Sequence, residues 1–342
     1  MIIKLLTEDI REEYENFLHS TEDFLLYSSY KYKNFLQDLL ECETKYLLEF
    51  NNNKINAAIP LMIKKGPFGN IINSLPYYGS NGGIVGFTKN KQLIAAYKDI
   101  VNAKDCITAT LISSPFFDSI TMLQDKITDQ RISQITVLKT LKDPEDYLWS
   151  IIDSTTHRNI KKAKRERVKV HVGDESAIQF LEETHLENMA AISGKAKQHD
   201  FFVKFPKHFT INKDYKIIVA TIDNIPVSAL LVFYYNKTVE YYTPVIKKDF
   251  RDKQPLALIL WETMLQAIKD GYHYWNWGGT WITQKGVYQF KKKWGAIDKL
   301  YSYSTVVNNQ NVINMNREIF DTMYYGFYIF NFNKILEEAE II

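Results

Sequence analysis

The sequence predicts an α/β (α+β) fold of two lobes, each a mixed, largely antiparallel sheet flanked by helices. Three observations predict it. At 342 residues the chain is longer than one core usually supports. β-rich runs separated by turn residues occur in both halves, at 46–63 and 215–243. Ile55-Asn-Ala-Ala-Ile aligns with Val227-Ser-Ala-Leu-Leu at an offset close to half the chain, which points to an internal duplication.

Taken in order, residues 10–18 carry a helical pattern, and the aromatic-rich stretch 24–39 has apolar spacing that suits a second helix. Residues 46–50 and 55–63 read as a hairpin around Asn51-Asn-Asn-Lys, with Pro60 placing the second strand at an edge or a bulge. In the second half, 215–222, 227–235 and 239–243 form a meander with turns at Asp223-Asn224 and Asn236-Lys237. A helix over 255–268 stops at Asp270-Gly271, and 272–277 is a buried strand running into Gly278-Gly279-Thr280.

Composition excludes several functions. With 46% apolar residues and only nine prolines the chain is expected to fold throughout. A net charge of +2 excludes a nucleic-acid coat or a polybasic membrane binder, so any anion site is local. Two cysteines make no disulfide framework, no Cys/His cluster has zinc spacing, and a reducing cytoplasm is the expected compartment. The start lacks the apolar stretch of an export signal, and no run reaches the roughly 18 apolar residues of a membrane span.

The densest charge lies at 158–169, seven Lys or Arg against one Glu, followed by the alternating strand pattern Val168-Lys-Val-His-Val. On a helix, Arg158, Lys161, Lys162 and Arg165 form one cationic stripe. Such a stripe is stabilised by a polyanion, a pyrophosphate or an RNA backbone; the alternative is a solvated surface helix.

The segment His157-Arg-Asn-Ile-Lys-Lys-Ala-Lys-Arg-Glu-Arg-Val-Lys-Val resembles the basic helix and following strand of Fem-type transferases, a branch of the GNAT superfamily. Tyr274-Trp-Asn-Trp-Gly-Gly-Thr and Lys285-Gly-Val-Tyr-Gln-Phe-Lys-Lys-Lys-Trp-Gly-Ala are similar to that family's aromatic-Gly-Gly strand end and Phe-Lys element. Weaker matches are Leu75-Pro-Tyr-Tyr-Gly-Ser-Asn-Gly-Gly-Ile and the helix 255–268, so the resemblance covers most of the chain. It implies tandem GNAT-like lobes at 1–148 and 149–342, the second catalytic. It also implies transfer of an acyl or aminoacyl group, from acyl-CoA (acetyl-CoA among them) or aminoacyl-tRNA, to an amine of a nucleotide- or lipid-linked peptidoglycan or surface-glycan precursor.

By the same resemblance, Phe290 and Lys291 face the donor end, and Arg158 and Lys162, with Lys161 and Arg165 on the same stripe, hold acceptor phosphates. The chemistry is compatible: the amine must lose a proton, and the tetrahedral oxyanion needs a donor or a cation, for which Lys291 is the candidate. Trp277, Gly278, Gly279, Thr280 and Tyr288 are expected in the donor cleft. Tyr77, Tyr78, Gly79 and Ser80 are expected in an N-lobe cleft, and Tyr242 orients the substrate or relays its proton. Neither a Ser-His-Asp set nor a metal site is expected.

The sequence departs from acetyl-CoA-using GNAT proteins at Arg251-Asp-Lys-Gln-Pro-Leu-Ala, where the glycines of their pyrophosphate loop are missing. That favours an aminoacyl-tRNA donor or an altered CoA mode, while the lack of a long charged helical hairpin counts against tRNA, so the donor stays open. The rivals are a free-standing acetyl-CoA acetyltransferase of an amino sugar or small amine and a non-catalytic nucleotide-sugar or RNA binding protein with a degenerate cleft. The aromatic run 323–332 is expected either to pack inward, or to meet a lipid-linked substrate at the membrane, which would make the protein peripheral at the inner membrane face, or a second subunit.

Overall fold

The structure, a computed structural model, describes residues 2–77, 82–86, 91–116, 127–280, 284–309 and 317–328. The chain begins with β1 (Ile2–Leu5), α1 (Arg11–Leu18), α2 (Tyr30–Leu40), β2 (Glu43–Thr44), β3 (Leu47–Asn51) and β4 (Lys54–Ile59). It continues through β5 (Met62–Lys64), β6 (Asn70–Asn73), β7 (Val85–Gly86), α3 (Lys91–Val101), β8 (Cys106–Ile112) and β9 (Ile127–Val137). Next come α4 (Pro144–Ile151), α5 (Ser154–Arg165), β10 (Lys169–Val172), α6 (Ala177–Ala190), α7 (His199–His208), β11 (Tyr215–Ile222) and β12 (Ile225–Tyr235). The last elements are β13 (Thr238–Ile246), α8 (Pro255–Lys269), β14 (Tyr274–Thr280), α9 (Lys285–Lys292), β15 (Ile297–Val307) and α10 (Arg317–Met323).

Two compact units result, residues 1–133 with 299–342, and residues 134–298. The lobes expected at 1–148 and 149–342 follow chain order, whereas these units follow packing. The two descriptions differ because the segment after 298 packs with the first unit and β9 passes from one unit into the other.

In the first unit β3 and β4 form the expected hairpin. Asn52 and Asn53 both adopt left-handed backbone (φ 49° and 60°), the geometry of a two-residue turn that asparagine tolerates. β1 and β7 complete a four-stranded antiparallel sheet. Pro60, which cannot donate to a ladder, stands where the chain leaves β4 for β5. β5 belongs to a second sheet, ordered β15-β8-β6-β5-β2, in which only β6 and β8 run parallel. α3 seats Leu93, Tyr97 and Val101 on Leu47, Ile59, Ile72 and Leu111 of these sheets.

In the second unit β10, β11, β12 and β13 are successive antiparallel neighbours, and β14 joins β13 in parallel. α8 starts with Pro255 in its first turn, where a missing N–H costs nothing, and is followed by Gly271 at φ 78°. Its Leu258, Ile259, Trp261 and Met264 pack on Ile218, Leu230 and Val232 of one sheet face, together with Ile160 and Ala163 of α5. On the face that carries Phe233, α7 seats Phe205 and α6 packs against β12 and β13. α5 begins at Asp153, whose carboxylate accepts from Thr156 N (2.7 Å), and ends as Arg167 turns left-handed (φ 58°) into β10.

Candidate active site

The site is built where β13 and β14 part. Their parallel ladder holds three pairs, Thr238–Tyr274, Val239–Trp275 and Glu240–Asn276, although both strands run further. On its other side β13 carries a bulge: Leu231 pairs with Thr243 and Val232 with Tyr241, so Tyr242 is the inserted residue. The extra residue bends β13 just beyond its last pair with β14, opening a wedge between the strand ends.

A chain of polar contacts fixes the β14 side of this wedge. Glu240, buried at 1% exposure, accepts from Asn276 Nδ2 (2.8 Å), and Asn276 Oδ1 accepts from Gly278 N (2.9 Å). Gly278 is left-handed (φ 70°), a conformation that glycine takes without the Cβ penalty. Lys291, on α9 and 4% exposed, donates to Gly278 O (3.2 Å), Gly279 O (3.0 Å) and Thr280 Oγ1 (2.7 Å). Thr280 in turn donates to Gln134 Oε1 (3.1 Å), and Gln134 Nε2 to Tyr288 O (3.3 Å). Burial pulls the Lys291 ammonium down to about 8, so the cation that holds the strand end titrates just above neutrality.

Other predicted residues have different surroundings. Trp277 is buried, donating Nε1 to Thr136 Oγ1 (2.9 Å) and packing edge-on to Phe290 (6.0 Å), within the core that α8 joins. Tyr288 donates its hydroxyl to Asp298 (2.8 Å), which holds the phenol proton on. Tyr242 lies on the other sheet face, stacked at 5.7 Å on Phe201 of α7. Its neighbour Tyr241 packs on Trp277 at 4.9 Å, and burial raises its pKa.

The cationic stripe is present on α5. Arg158, Lys161 and Arg165 are exposed and Lys162 half-buried, while Thr156, Ile160 and Ala163 face the core. Arg158 donates to Thr155 Oγ1 (3.1 Å), and Lys161 lies over the Trp149 ring (5.7 Å). The segment that precedes α8 is tied to this helix. Lys162 approaches Asp252 (3.9 Å), and Lys253 pairs with Glu166 (3.1 Å). Gln254 is left-handed (φ 58°) immediately before Pro255. The stripe therefore borders the N-terminus of α8, which carries the positive end of the helix dipole.

Tyr77 belongs to the first unit, where it is left-handed (φ 73°) and its N–H donates to Gly326 O (2.6 Å). Tyr78, Gly79 and Ser80 lie outside the described residues. In the aromatic run 323–332, Tyr324 and Phe327 are buried in the first unit and Tyr324 donates to Gly69 O (2.9 Å), while 329–332 lie outside the described residues. Among the described residues no group of three or more His, Cys, Asp or Glu can hold a metal ion, and no helix is long and apolar enough to cross a membrane.

Sequence reasoning missed Glu240, Asn276, Gln134 and Thr136. Asn276 carried a signal, being an amide between two tryptophans of a buried strand, which needs partners there. Gln134 and Thr136 carried none, since their role depends on β9 lying beside β14.

Residues 154–292 match the acetyltransferase (GNAT) domain family. The sequence has no match among curated proteins. In fold the chain is similar to FemX, with a TM-score of 0.70 at 14% identity over 91% of this chain and 98% of that one. It is similar, at a TM-score of 0.55 and 12% identity, to the C-terminal domain of a putative lysylphosphatidylglycerol synthetase from Agrobacterium fabrum, over 87% of this chain and 91% of that one. A tandem GNAT protein from the clavulanic acid biosynthesis pathway gives 0.51 at 10% identity, over 90% and 98%. The matched GNAT domain takes in the wedge, Lys291 and the basic helix, and the fold of nearly the whole chain is similar to that of FemX.

Proposed function

We propose that the second unit transfers an acyl or aminoacyl group from an activated thioester or ester to an amine of a peptidoglycan or surface-glycan precursor in the cytoplasm. The observation that carries this reading is the wedge between β13 and β14. Past Glu240 the β14-facing backbone of β13 no longer pairs with β14, leaving donors for the oxyanion that forms as an amine attacks a carbonyl. Lys291 acts on this site through the strand end it holds. Its three acceptors hold Gly278-Gly279-Thr280 in place, and such positioning supplies much of the rate when acyl transfer proceeds without a covalent enzyme intermediate.

The α5 stripe, with Arg158, Lys161, Lys162 and Arg165, is the binding surface for phosphates of the acceptor. Exposed guanidinium and ammonium groups bordering a helix N-terminus favour anions there. For the donor, the segment before α8 favours an aminoacyl ester carried by tRNA over acyl-CoA. A left-handed Gln254, Pro255 and two α5 ion pairs occupy the place where a glycine loop would cradle a pyrophosphate.

Thermal stabilisation by acetyl-CoA, other acyl-CoAs and charged tRNA, measured side by side with product formation, tests this, because a ligand that binds only the folded state raises Tm. A shift and turnover with charged tRNA support the aminoacyl reading. A shift and turnover with acyl-CoA alone make the donor a thioester. Binding of a nucleotide-sugar or RNA without turnover would reduce the site to a degenerate binding cleft.

A further inference from the structure

Lys197 stands apart from the contacts described so far. It lies in the connection between α6 and α7 and is only 6% exposed. Its Nζ sits over two rings, 5.6 Å from Phe201 and 5.5 Å from Tyr242, the residue inserted where β13 bends away from β14. The backbone behind it is anchored, since Lys197 N donates to His185 Nε2 at 3.0 Å, which requires that nitrogen to be unprotonated. Titratable groups that face it include His185 from α6 and Tyr242 from β13, and α7 presents Phe201.

We propose that Lys197 takes the proton that the acceptor's ammonium must lose before acyl transfer. The proposal rests on the acyltransferase reading above. The acceptor R–NH3+ passes one proton to the neutral Nζ, and its freed lone pair forms the C–N bond with the donor carbonyl. As the tetrahedral intermediate collapses, the C–S bond of a thioester or the C–O bond of an ester breaks. The leaving thiol or hydroxyl departs with the amine's second proton, and Lys197 returns the first to solvent.

Three features fit this task. The amine stands above the residue where the wedge opens. Burial holds it at about 7, so that near neutral pH a large fraction is neutral and able to accept. His185 is itself held down to about 4 by burial and by Lys197, so it stays neutral and keeps accepting the Lys197 N–H.

The test is kcat/KM from pH 5 to 9 for the wild type, Lys197→Met and Lys197→Arg, with Tm for each and a direct NMR titration of the wild-type Lys197 amine. Arginine keeps a cation over both rings but does not deprotonate, so it preserves a structural role and abolishes a proton-accepting one. The expected result is an acid limb near pH 7 in the wild type, matched by the NMR titration, and a loss of about 100-fold at neutral pH in both variants. Wild-type rates in Lys197→Arg, an unchanged acid limb in Lys197→Met, or a limb removed by Glu240→Gln instead would overturn the proposal. The NMR titration decides even if a variant does not fold, because an amine titrating near the ordinary lysine value of about 10.4 overturns it too. Absence of turnover by the wild type with every donor is the separate result that removes the acyltransferase reading and this inference with it.

Discussion

Lys291 Nζ and Thr280 Oγ1 lie 2.7 Å apart, and the same ammonium also reaches the carbonyls of Gly278 and Gly279. One side chain of α9 therefore uses all three of its protons on three consecutive residues of β14. In Lys291→Met those acceptors lose their donor inside the protein. The expected cost is about 1–3 kcal/mol in urea unfolding, with a fall in kcat larger than any rise in KM. Full activity in that variant would show that the strand end holds its position without the lysine.

The same cation sets an alkaline limit. With its pKa pulled down to about 8, Lys291 is protonated below that pH and loses a donor as pH rises through it. The kcat of the wild type should fall with an apparent pKa near 8, and Lys291→Arg, charged throughout, should lack that limb while keeping part of the activity. A wild-type profile flat to pH 9.5 would contradict this.

Asn276 joins a buried carboxylate to the backbone of the wedge, donating to Glu240 and accepting from Gly278. Asn276→Leu leaves Glu240 without that donor at 1% exposure, so a loss of about 2–3 kcal/mol is expected, at the charged end of hydrogen-bond values. Glu240→Gln with Asn276→Leu should recover part of it, since the charge is then gone. Equal stability of the single variant and the wild type would mean that the carboxylate is solvated in solution.

The fold was legible where local chemistry decides. The meander came from β-rich runs separated by Asp223-Asn224 and Asn236-Lys237, and at Asp223, Asn224 and Asn236 the backbone is left-handed as such turns require. The basic stripe followed from spacing alone, with Ile160 and Ala163 turned to the core. Residues 285–292 are helical, and this is what lets Lys291 reach back to β14. Glu240, Gln134 and Lys197 were not legible, because a polar residue inside an apolar strand or loop gains its role from a partner far away in sequence. The wedge also escaped the sequence, since a one-residue bulge at Tyr242 leaves no mark on the period-two pattern around it.

On α5, Arg158 donates to Thr155 and Lys162 approaches Asp252. Removing both should leave unfolding within about 0.5 kcal/mol of the wild type, as for surface changes in general. It should raise the acceptor KM while kcat changes little, because phosphate contacts bind ground and transition states alike. The wild-type KM should also rise with salt more steeply than that of the double variant. An unchanged KM would remove the stripe from acceptor binding.

The His185–Lys197 pair makes stability depend on pH in a defined direction. Burial lowers His185 from its ordinary 6.5 to about 4, so between those values the unfolded chain binds the proton more readily than the folded one. Stability is therefore lost as pH falls from about 6.5 toward 4. Lys197, lowered to about 7, costs stability while it is buried charged, and that cost is relieved as pH rises from about 7 toward 10.5. Tm should thus climb across the acid window because of His185 and across the alkaline window because of Lys197, joined above about 8 by Lys291, which burial also lowers. Lys197→Met should reduce the alkaline slope, most clearly between pH 7 and 8 where Lys291 does not yet contribute, and raise Tm at pH 7, since an apolar side chain replaces a buried amine. Hydrogen exchange of the Lys197 amide should rise in His185→Ala, which removes its acceptor. A Tm profile with the same alkaline slope in Lys197→Met as in the wild type would assign that slope to another group.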